Sequence, residues 1–396
     1  METAKSDIPT GGGERERIWV VDGESRRPFM RGILVHWLTA RGLGFDEALE
    51  RTNKVQDRLR GRETVPLEAL TGIVQEVAGS ELAPPGSTAE SLLPTISVQE
   101  GTGSSPFSKG RLSQSLLAAA IGPDDAFEVA HTIELELRRQ GLHTVRRADL
   151  RRRSHQALLQ HFDAKTAERY LVWRKYQEPE KPVLILLGGT TGAGKTSVAL
   201  EVALRLGIGR VLSSDSIRQI MRMMLAPDLM PAIHGSSFDA HTRVDAAAAS
   251  ANPVVEGFIA QSSVVGLGVR AMLDRAIEEN TSLVLDGVAL VPGLIDLEAY
   301  ADVAHVMFMV MVRLDEEAFR QHFSSRAKHG RRGDPGRYVQ NLDAILQIQE
   351  HFLELAERFE VPIIDNASIE ESVRHVIRHV VEGLRQEESV DVSKLL

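Results

Sequence analysis

From residue 183 onward, short apolar runs alternate with longer segments in which apolar residues recur every three or four positions. An unbroken apolar run predicts a strand buried on both faces, and the longer spacing predicts an amphipathic helix. Strands are predicted at 183–187, 210–213, 282–285, 304–312 and 361–364. Helices are predicted at 195–206, 216–224, 253–279, 316–326, 336–359 and 369–388. This alternation predicts an α/β domain whose parallel sheet is covered by helices on both faces.

The first half of the chain contains an internal repeat. Residues 18–60 align with residues 96–138 at a constant offset of 78, and fifteen of the forty-three aligned positions are identical. Each copy predicts a short strand, a glycine turn, a helix rich in Leu and Ala, and a second helix with Asp46 or Asp124 as its N-cap. Two copies are too few for a solenoid, so we expect two small, mainly helical modules.

Turn-forming and charged segments set the expected domain boundaries. The segment 80–95 is rich in proline, and the charged segment 177–182 carries two prolines, as connections between domains often do. We expect a flexible tail at 1–17, a first module at 18–79, a linker at 80–95, a second module with a helical extension at 96–178, the α/β domain at 179–388 and a tail at 389–396.

Composition narrows the class of protein. Hydrophobic residues make up 43% and charged residues 26% of the 396 residues, which is the balance of a globular chain. The chain has no cysteine, which excludes disulfides, a thiol nucleophile and cysteine-based metal sites. Its net charge of −9 disfavours a nucleic-acid partner, and no apolar run approaches the ~20 residues that span a bilayer. We expect a cytoplasmic protein without a nucleic-acid or membrane partner, and the sequence leaves an oligomer open.

The most specific motif follows the first strand of the predicted α/β domain. Residues 189–196, GTTGAGKT, match the phosphate loop G-x-x-x-x-G-K-[ST] between a strand and a helix. Small residues let consecutive backbone N–H groups converge on phosphate oxygens at a helix N-terminus. We expect Lys195 to reach the β- and γ-phosphates of ATP and to act in catalysis. The expected nucleotide contacts are Gly189, Thr190, Thr191, Gly192, Ala193, Gly194, Lys195, Thr196 and Ser197.

An acidic residue ends the third predicted strand, where Asp286 precedes Gly287. In a phosphate-loop protein, an acid in this place is the Walker B residue that holds Mg²⁺ directly or through water. A strand that simply ends in an Asp-Gly turn is the structural alternative. We expect Thr196 and Asp286 to form the metal site.

If the bound nucleotide donates a phosphoryl group, the molecule that accepts this group is expected to bind beyond the second strand, at the segment 213–218. Asp215 is the candidate catalytic base, because an acid at this place can orient or deprotonate an acceptor hydroxyl. Capping of the next helix by Asp215 or Ser214 is an alternative that is compatible with this role. Arg218 and Arg222 lie four residues apart on one helix face, and we expect both to bind an anionic substrate unless they are surface arginines.

A basic, glycine-punctuated segment lies between the helices predicted at 316–326 and 336–359. Its composition predicts a mobile lid that closes on phosphates, with a solvated loop as the alternative. We expect Arg331 and Arg332 to act in catalysis by offsetting charge on the transferred group. We expect Arg326 and Arg337 to bind the substrate.

These segments together resemble the 2-phosphoglycerate kinase family. The resemblance runs in order through GGTTGAGKT, SSDSIRQIMR, GFIAQSSVV, DGVALVPG and RYVQNLDAILQIQEHFLELAERFEVPIIDN, and it covers about residues 182–382. It also implies ATP-cone-like modules before the kinase domain, with PFSKG at 106–110 as a close match and PFMRG at 28–32 as a looser one. By analogy with phosphate-loop kinases, the sheet is expected in the order 2-3-1-4-5. The resemblance implies a regulatory nucleotide on the modules, with Arg31 and Lys109 as phosphate contacts; a small helical domain without a ligand is the alternative.

Two positions depart from the pattern Glu-Gly-Val-His of the family, because this chain has Asp286 and Ala289 there. The shorter acid would reach a metal through water, and the missing histidine leaves a different acceptor open. The resemblance implies an ATP- and Mg²⁺-dependent kinase that phosphorylates the free hydroxyl of 2-phosphoglycerate to give 2,3-bisphosphoglycerate. The alternatives are a kinase for another small hydroxylated metabolite and a nucleotide-sensing regulator with little turnover.

Overall fold

The structure is a computed structural model. It describes residues 18–22, 25–39, 43, 45–78, 96–101, 103–177, 179–244, 250–317, 319–321, 323, 335–387 and 395. The chain divides into two compact units, Met1–Thr95 and Ile96–Leu396, and each is described by itself. The second unit contains both the second copy of the repeat and the α/β domain.

The first unit combines a small sheet with three helices. Its strands are β1 (Trp19–Asp22), β2 (Ser25–Pro28) and β3 (Thr64–Pro66), and its helices are α1 (Arg31–Thr39), α2 (Phe45–Leu59) and α3 (Leu67–Ala78). The strand order is β2-β1-β3, with β1 antiparallel to β2 and parallel to β3. Leu38, Ala48 and Leu59 are buried in its core, because one face of each helix is apolar.

The second copy has the same order of strands and helices. Its strands are β4 (Ser97–Glu100), β5 (Gly103–Pro106) and β6 (Thr144–Arg146), again with the first strand in the centre. Its helices are α4 (Lys109–Leu116), α5 (Pro123–Arg139), α6 (Arg147–His161) and α7 (Ala164–Lys175). The strands pair equivalently in the two sheets, since Trp19 pairs with Thr64 as Ser97 pairs with Thr144.

The modules differ from expectation in two details. The strands β2, β3, β5 and β6 were not predicted, because segments of three or four residues carry too little periodicity. The expected N-cap at Asp124 is wrong: Gly122 caps α5, Pro123 takes the first helical position, and Asp124 lies in the first turn. Asp46 likewise lies inside the first turn of α2.

The α/β domain contains a five-stranded parallel sheet. Its strands are β7 (Val183–Gly188), β8 (Val211–Ser213), β9 (Leu283–Gly287), β10 (His305–Val312) and β11 (Ile363–Asp365). The spatial order is β11-β10-β7-β9-β8, so the expected order 2-3-1-4-5 is confirmed. Every residue of β7 and β9 is buried, which accounts for their continuous apolar sequences.

Helices cover both faces of this sheet. They are α8 (Lys195–Leu206), α9 (Ser214–Met224), α10 (Pro253–Glu278), α11 (Pro335–Gln340), α12 (Leu342–Arg358) and α13 (Ile369–Glu387). The helix expected at 336–359 is interrupted at Asn341, whose Nδ2 donates to the carbonyl of Arg337 at 2.7 Å. Within the described ranges, none of the helices combines the length and the apolar character needed to cross a lipid bilayer.

Candidate active site

The phosphate loop fills the turn between β7 and α8 at the carboxyl edge of the sheet. Gly192 and Gly194 have φ angles of +90° and +85°, in the left-handed region that side chains disfavour. A Cβ at Gly194 would lie 2.2 Å from Nδ2 of Asn366, and one at Gly192 would lie 2.3 Å from Cζ of Phe323. The motif glycines are therefore needed both for the backbone path and for close packing.

Two buried side chains hold the loop. Nζ of Lys195 donates to the carbonyl of Thr190 at 2.7 Å. Asn366, just after β11, donates from Nδ2 to the carbonyl of Ala193 at 2.8 Å and accepts from Oγ of Ser372 at 2.9 Å. Sequence reasoning missed Asn366, because its only signal is an asparagine after a short strand, 173 residues beyond Ala193.

The metal candidates Thr196 and Asp286 are in contact. Oγ1 of Thr196 donates to Oδ2 of Asp286 at 2.6 Å, and Asp286 is only 2% exposed. Its other carboxylate oxygen, Oδ1, is buried without a hydrogen-bond partner among the described residues. Burial raises the pKa of Asp286, although the hydrogen bond from Thr196 and the charge of Lys195 act in the opposite direction. A carboxylate oxygen that accepts no hydrogen bond, beside a threonine hydroxyl, is a suitable ligand for a hard divalent cation such as Mg²⁺.

Asp215 and Arg218 form an ion pair at the start of α9. Oδ1 of Asp215 accepts from Nη2 of Arg218 at 3.1 Å, and the Asp215 side chain is 62% exposed. The capping alternative for Asp215 or Ser214 is wrong, because Ser213 is the N-cap and its Oγ accepts from the N–H of Asp215. Ser213 pairs with Asp286 in the sheet, so Asp215 lies two residues beyond the neighbour of the metal candidate.

Arg218 also holds the segment that follows α9. Its Nη1 donates to the carbonyls of Ile233 at 3.3 Å and Gly235 at 2.8 Å. Gln261 on α10 donates to Gly235 at 3.2 Å and to Ala232 at 2.6 Å. The guanidinium of Arg218 is therefore shared between Asp215 and the backbone at 233–235.

Arg337 lies on α11 and contacts the same segment after α9 that Arg218 holds. It pairs with Asp239, and its guanidinium carbon lies 5.4 Å from the ring centroid of Phe238. The neighbouring Tyr338 stacks on Phe323 with 5.3 Å between ring centroids, and Phe323 is the residue that packs against Gly192. Helix α11 is thus anchored next to the loop, whereas Arg326, Arg331 and Arg332 lie outside the described residues.

The remaining candidates make the following contacts. Nη1 of Arg222 donates to Gln219 at 3.3 Å, while its Nε is buried without a hydrogen-bond partner among the described residues. Nζ of Lys109 lies 3.6 Å from Glu134 and 4.7 Å from the ring centroid of Phe127. Arg31 is exposed on α1.

Comparison with known proteins identifies the family of this chain. A family model described as Zeta toxin matches residues 168–379, and one described as ATP cone domain matches residues 102–179. A 2-phosphoglycerate kinase of Pyrococcus furiosus is 35% identical over 277 residues, 70% of this chain and 90% of the relative. Those of Pyrococcus horikoshii and Thermococcus kodakarensis are 34% identical, over 70% and 71% of this chain and 90% and 94% of the relatives. The chain, with its Zeta toxin-type P-loop domain behind an ATP cone, therefore belongs to the 2-phosphoglycerate kinase family of phosphotransferases.

Proposed function

We propose that this protein transfers the γ-phosphoryl group of ATP to the free hydroxyl of 2-phosphoglycerate, giving 2,3-bisphosphoglycerate and ADP. The observation that carries the proposal is the contact between Thr196 and Asp286 beside a complete phosphate loop. The relatives of this chain are named 2-phosphoglycerate kinases. A small-molecule kinase uses both parts, because the loop binds the phosphates and the buried acid completes the metal site.

The reaction needs positioning and charge stabilisation more than covalent chemistry from the protein. Lys195 exchanges its hydrogen bond to the Thr190 carbonyl for one to the β- and γ-phosphate oxygens. Asp215 takes the proton of the acceptor hydroxyl while that oxygen bonds to the γ-phosphorus and the bond to the bridging oxygen of ADP breaks. Arg218 holds the Asp215 carboxylate for this step, since the two side chains are paired.

Thr196 and Asp286 would hold Mg²⁺, and the bound ion would neutralise charge on the β- and γ-phosphate oxygens. Oδ1 of Asp286, which accepts no hydrogen bond from the described residues, supports this assignment. Its raised pKa has the same origin, since burial disfavours a carboxylate until a cation compensates its charge.

The acceptor carries a carboxylate and a phosphate, so it needs several cations. We propose Arg222 and Arg337 for this role, because one has a buried unpartnered Nε and the other is anchored beside the phosphate loop. We propose that Arg326, Arg331 and Arg332 contribute further positive charge, on the ground of their sequence alone.

The test is ADP release with ATP and Mg²⁺, in the presence and absence of 2-phosphoglycerate. Turnover is expected to depend on the acceptor and to fall by on the order of 100-fold or more in Lys195→Ala, Thr196→Val and Asp215→Asn. Ser263→Ala, at an exposed position of α10, is the matched control and should keep wild-type turnover. Absence of any stimulation by 2-phosphoglycerate would contradict the proposed substrate.

A different hydroxylated acceptor is the second candidate, and Ala289 favours it. Ala289 is buried in an apolar cluster with Leu285 and Leu290, and its N–H donates to Oγ of Ser214 at 3.3 Å. This position therefore supplies no polar side chain to an acceptor. The same assay with a panel of plain and phosphorylated hydroxy acids decides between the two candidates, because a different compound would then give the highest turnover.

The second module supports a regulatory nucleotide in addition. A cavity of 430 Å³ is lined there by Arg111, Arg147, Arg151, Arg174, Arg205 and one acid, Glu100, with Phe107 as an apolar wall. Arg147 pairs with Glu100, whereas Arg111, Arg151 and Arg174 form no ion pair with a described carboxylate. A ligand with several phosphates and a flat ring matches this combination.

The first module lacks this set of charges. The repeat alignment places Ile33 where the second copy has Arg111, and the strand pairing places Leu67 and Thr71 where it has Arg147 and Arg151. We therefore assign the regulatory nucleotide to the second module alone.

A further inference from the structure

The last turn of the P-loop helix forms part of the wall of the second module's cavity. Arg205, Leu206 and Gly207 line this cavity together with residues of α4, α6 and α7. Nε1 of Trp173 donates to the carbonyl of Leu206 at 3.0 Å, and Nε2 of Gln114 donates to that of Leu204 at 3.5 Å. Since α8 begins at Lys195, one helix about 18 Å long reaches from the phosphate loop to the cavity.

Arg205 is buried in this wall and is held by two carboxylates. Its Nε donates to Glu201 at 2.8 Å, and its Nη1 and Nη2 bind the two oxygens of Glu370 at 2.9 and 2.5 Å. The pair with Glu370 is bidentate, which is the strongest geometry for an arginine and a carboxylate. Glu370 lies in the first turn of α13.

The same turn of α13 is bonded to the phosphate loop. Two residues after Glu370, Oγ of Ser372 donates to Asn366, and Asn366 donates to the carbonyl of Ala193. Arg205, Ser372 and Asn366 are each at most 3% exposed, whereas the Glu370 side chain is 41% exposed. A continuous series of contacts therefore joins the cavity wall to the loop.

The cavity carries positive charge that its own acids do not balance. Nε of Arg151 is buried and has no hydrogen-bond partner among the described residues. Burial lowers the pKa of Arg174, and the nearby charges of Arg147 and Arg151 lower it further. A phosphate-bearing ligand would balance this charge. Its phosphate oxygens would also lie next to Arg205, where they can accept hydrogen bonds.

We propose that Arg205 couples occupancy of this cavity to the phosphate loop. A nucleotide in the cavity competes with Glu370 for the Arg205 guanidinium, and loss of that pair loosens the α13–Asn366 support of Ala193. The inference rests on the proposed regulatory nucleotide. Arg205, Glu370 and Asn366 act in it as positioning residues that need not touch the substrate.

The test measures ATP binding to the full chain by titration calorimetry. The wild type is expected to bind two ATP per chain, and Lys195→Ala identifies the binding step of the phosphate loop. The double variant Arg151→Ala/Arg174→Ala should bind one ATP, with an affinity at the loop that differs at least fivefold from that of the wild type. In a Glu370→Gln background, the same double variant should leave the affinity of the loop unchanged.

Two matched variants complete the test. Arg205→Lys keeps the charge but loses the bidentate pair, so it should abolish the coupling as Glu370→Gln does. Glu371→Gln, at an exposed position on the same turn, should keep it. An equal fivefold change in the wild-type and Glu370→Gln backgrounds would overturn the coupling, and a wild-type stoichiometry of one would overturn the cavity site. Failure of the kinase proposal is distinguishable, because it would abolish ADP release without changing these affinities.

Discussion

At the scale of single residues, the phosphate loop depends on positions where a methyl group has no room. Gly194 combines a left-handed backbone with a contact to Asn366, and Asn366 in turn holds the carbonyl of Ala193. The motif could be recognised from the sequence, because its glycines are close together in the chain. Asn366 could not, because its role exists only when β11 lies beside the loop.

Substitution of Gly194 by alanine tests this account. Gly194→Ala is expected to lower the free energy of unfolding by more than the ~1–2 kcal/mol of a left-handed residue alone, because its Cβ also collides with Asn366. It should also abolish ATP binding at the loop. The control is Gly141→Ala, which has a φ of +66° but no atom within 4 Å of the added Cβ. Denaturant unfolding measures the free energy of unfolding of both variants. Equal losses of this free energy would show that the collision with Asn366 adds no cost.

At the scale of elements, the N-caps of the helices show how far neighbouring residues determine where a helix begins. Side chains cap α4 at Ser108, α7 at Asp163, α9 at Ser213 and α10 at Asn252. Each of these residue types is common at the N-cap, yet Asp124 has the same local signature and lies two residues after the N-cap Gly122. Proline at the first position of α5 decides that case, because it starts the helix directly after Gly122.

The cap of α7 gives a prediction with a pH dependence. Oδ1 of Asp163 accepts from the N–H of Thr166 at 2.7 Å, and this bond lowers the pKa of Asp163 below its usual 3.8. Its stabilisation is therefore complete above pH 3.8 and is lost as the pH falls through the lower folded-state pKa. Asp163→Ala should reduce the free energy of unfolding by about 1 kcal/mol at pH 7 and have little effect in strong acid.

Asp124→Ala is the matched control for this measurement. Asp124 lies in the first turn of α5, where its charge interacts with the helix dipole, so a loss of a few tenths of a kcal/mol is expected at pH 7. Denaturant titrations at a series of pH values provide the comparison. If Asp163→Ala lowered the free energy of unfolding by the same amount at pH 7 and in strong acid, the stabilisation would not depend on an ionised Asp163.

At the scale of the whole molecule, helix α7 belongs to the core of the α/β domain as much as to its own module. Trp173 and Tyr176 are buried in one apolar cluster with Val183 and Val202. Tyr176 Oη donates to the carbonyl of Leu384 at 3.1 Å, and Nη1 of Arg169 binds Glu382 at 3.4 Å. The boundary that we expect near 178/179 therefore crosses a continuous core and stays a prediction.

Truncation separates the two candidate boundaries. A chain of residues 96–396 is expected to unfold cooperatively and to keep acceptor-dependent turnover, since it carries its own core. A chain of residues 179–396 loses the burial of Trp173 and Tyr176, worth roughly 1.5–3 kcal/mol each, and is expected to unfold at a much lower temperature. Equal melting temperatures for the two truncated chains would show that the module is dispensable for the fold.

Features that are encoded by neighbouring residues could be predicted from the order of residues along the chain. Continuous apolar runs predicted the five strands of the parallel sheet, and the eight residues 189–196 predicted the phosphate loop between β7 and α8. Which distant side chains meet depends on the packing of the folded chain. Asn366 and Ala193 lie 173 residues apart, and Arg205 and Glu370 lie 165 apart. Hydrogen bonds over such separations leave no local periodicity, because they depend on how strands and helices pack and not on what stands next to each residue.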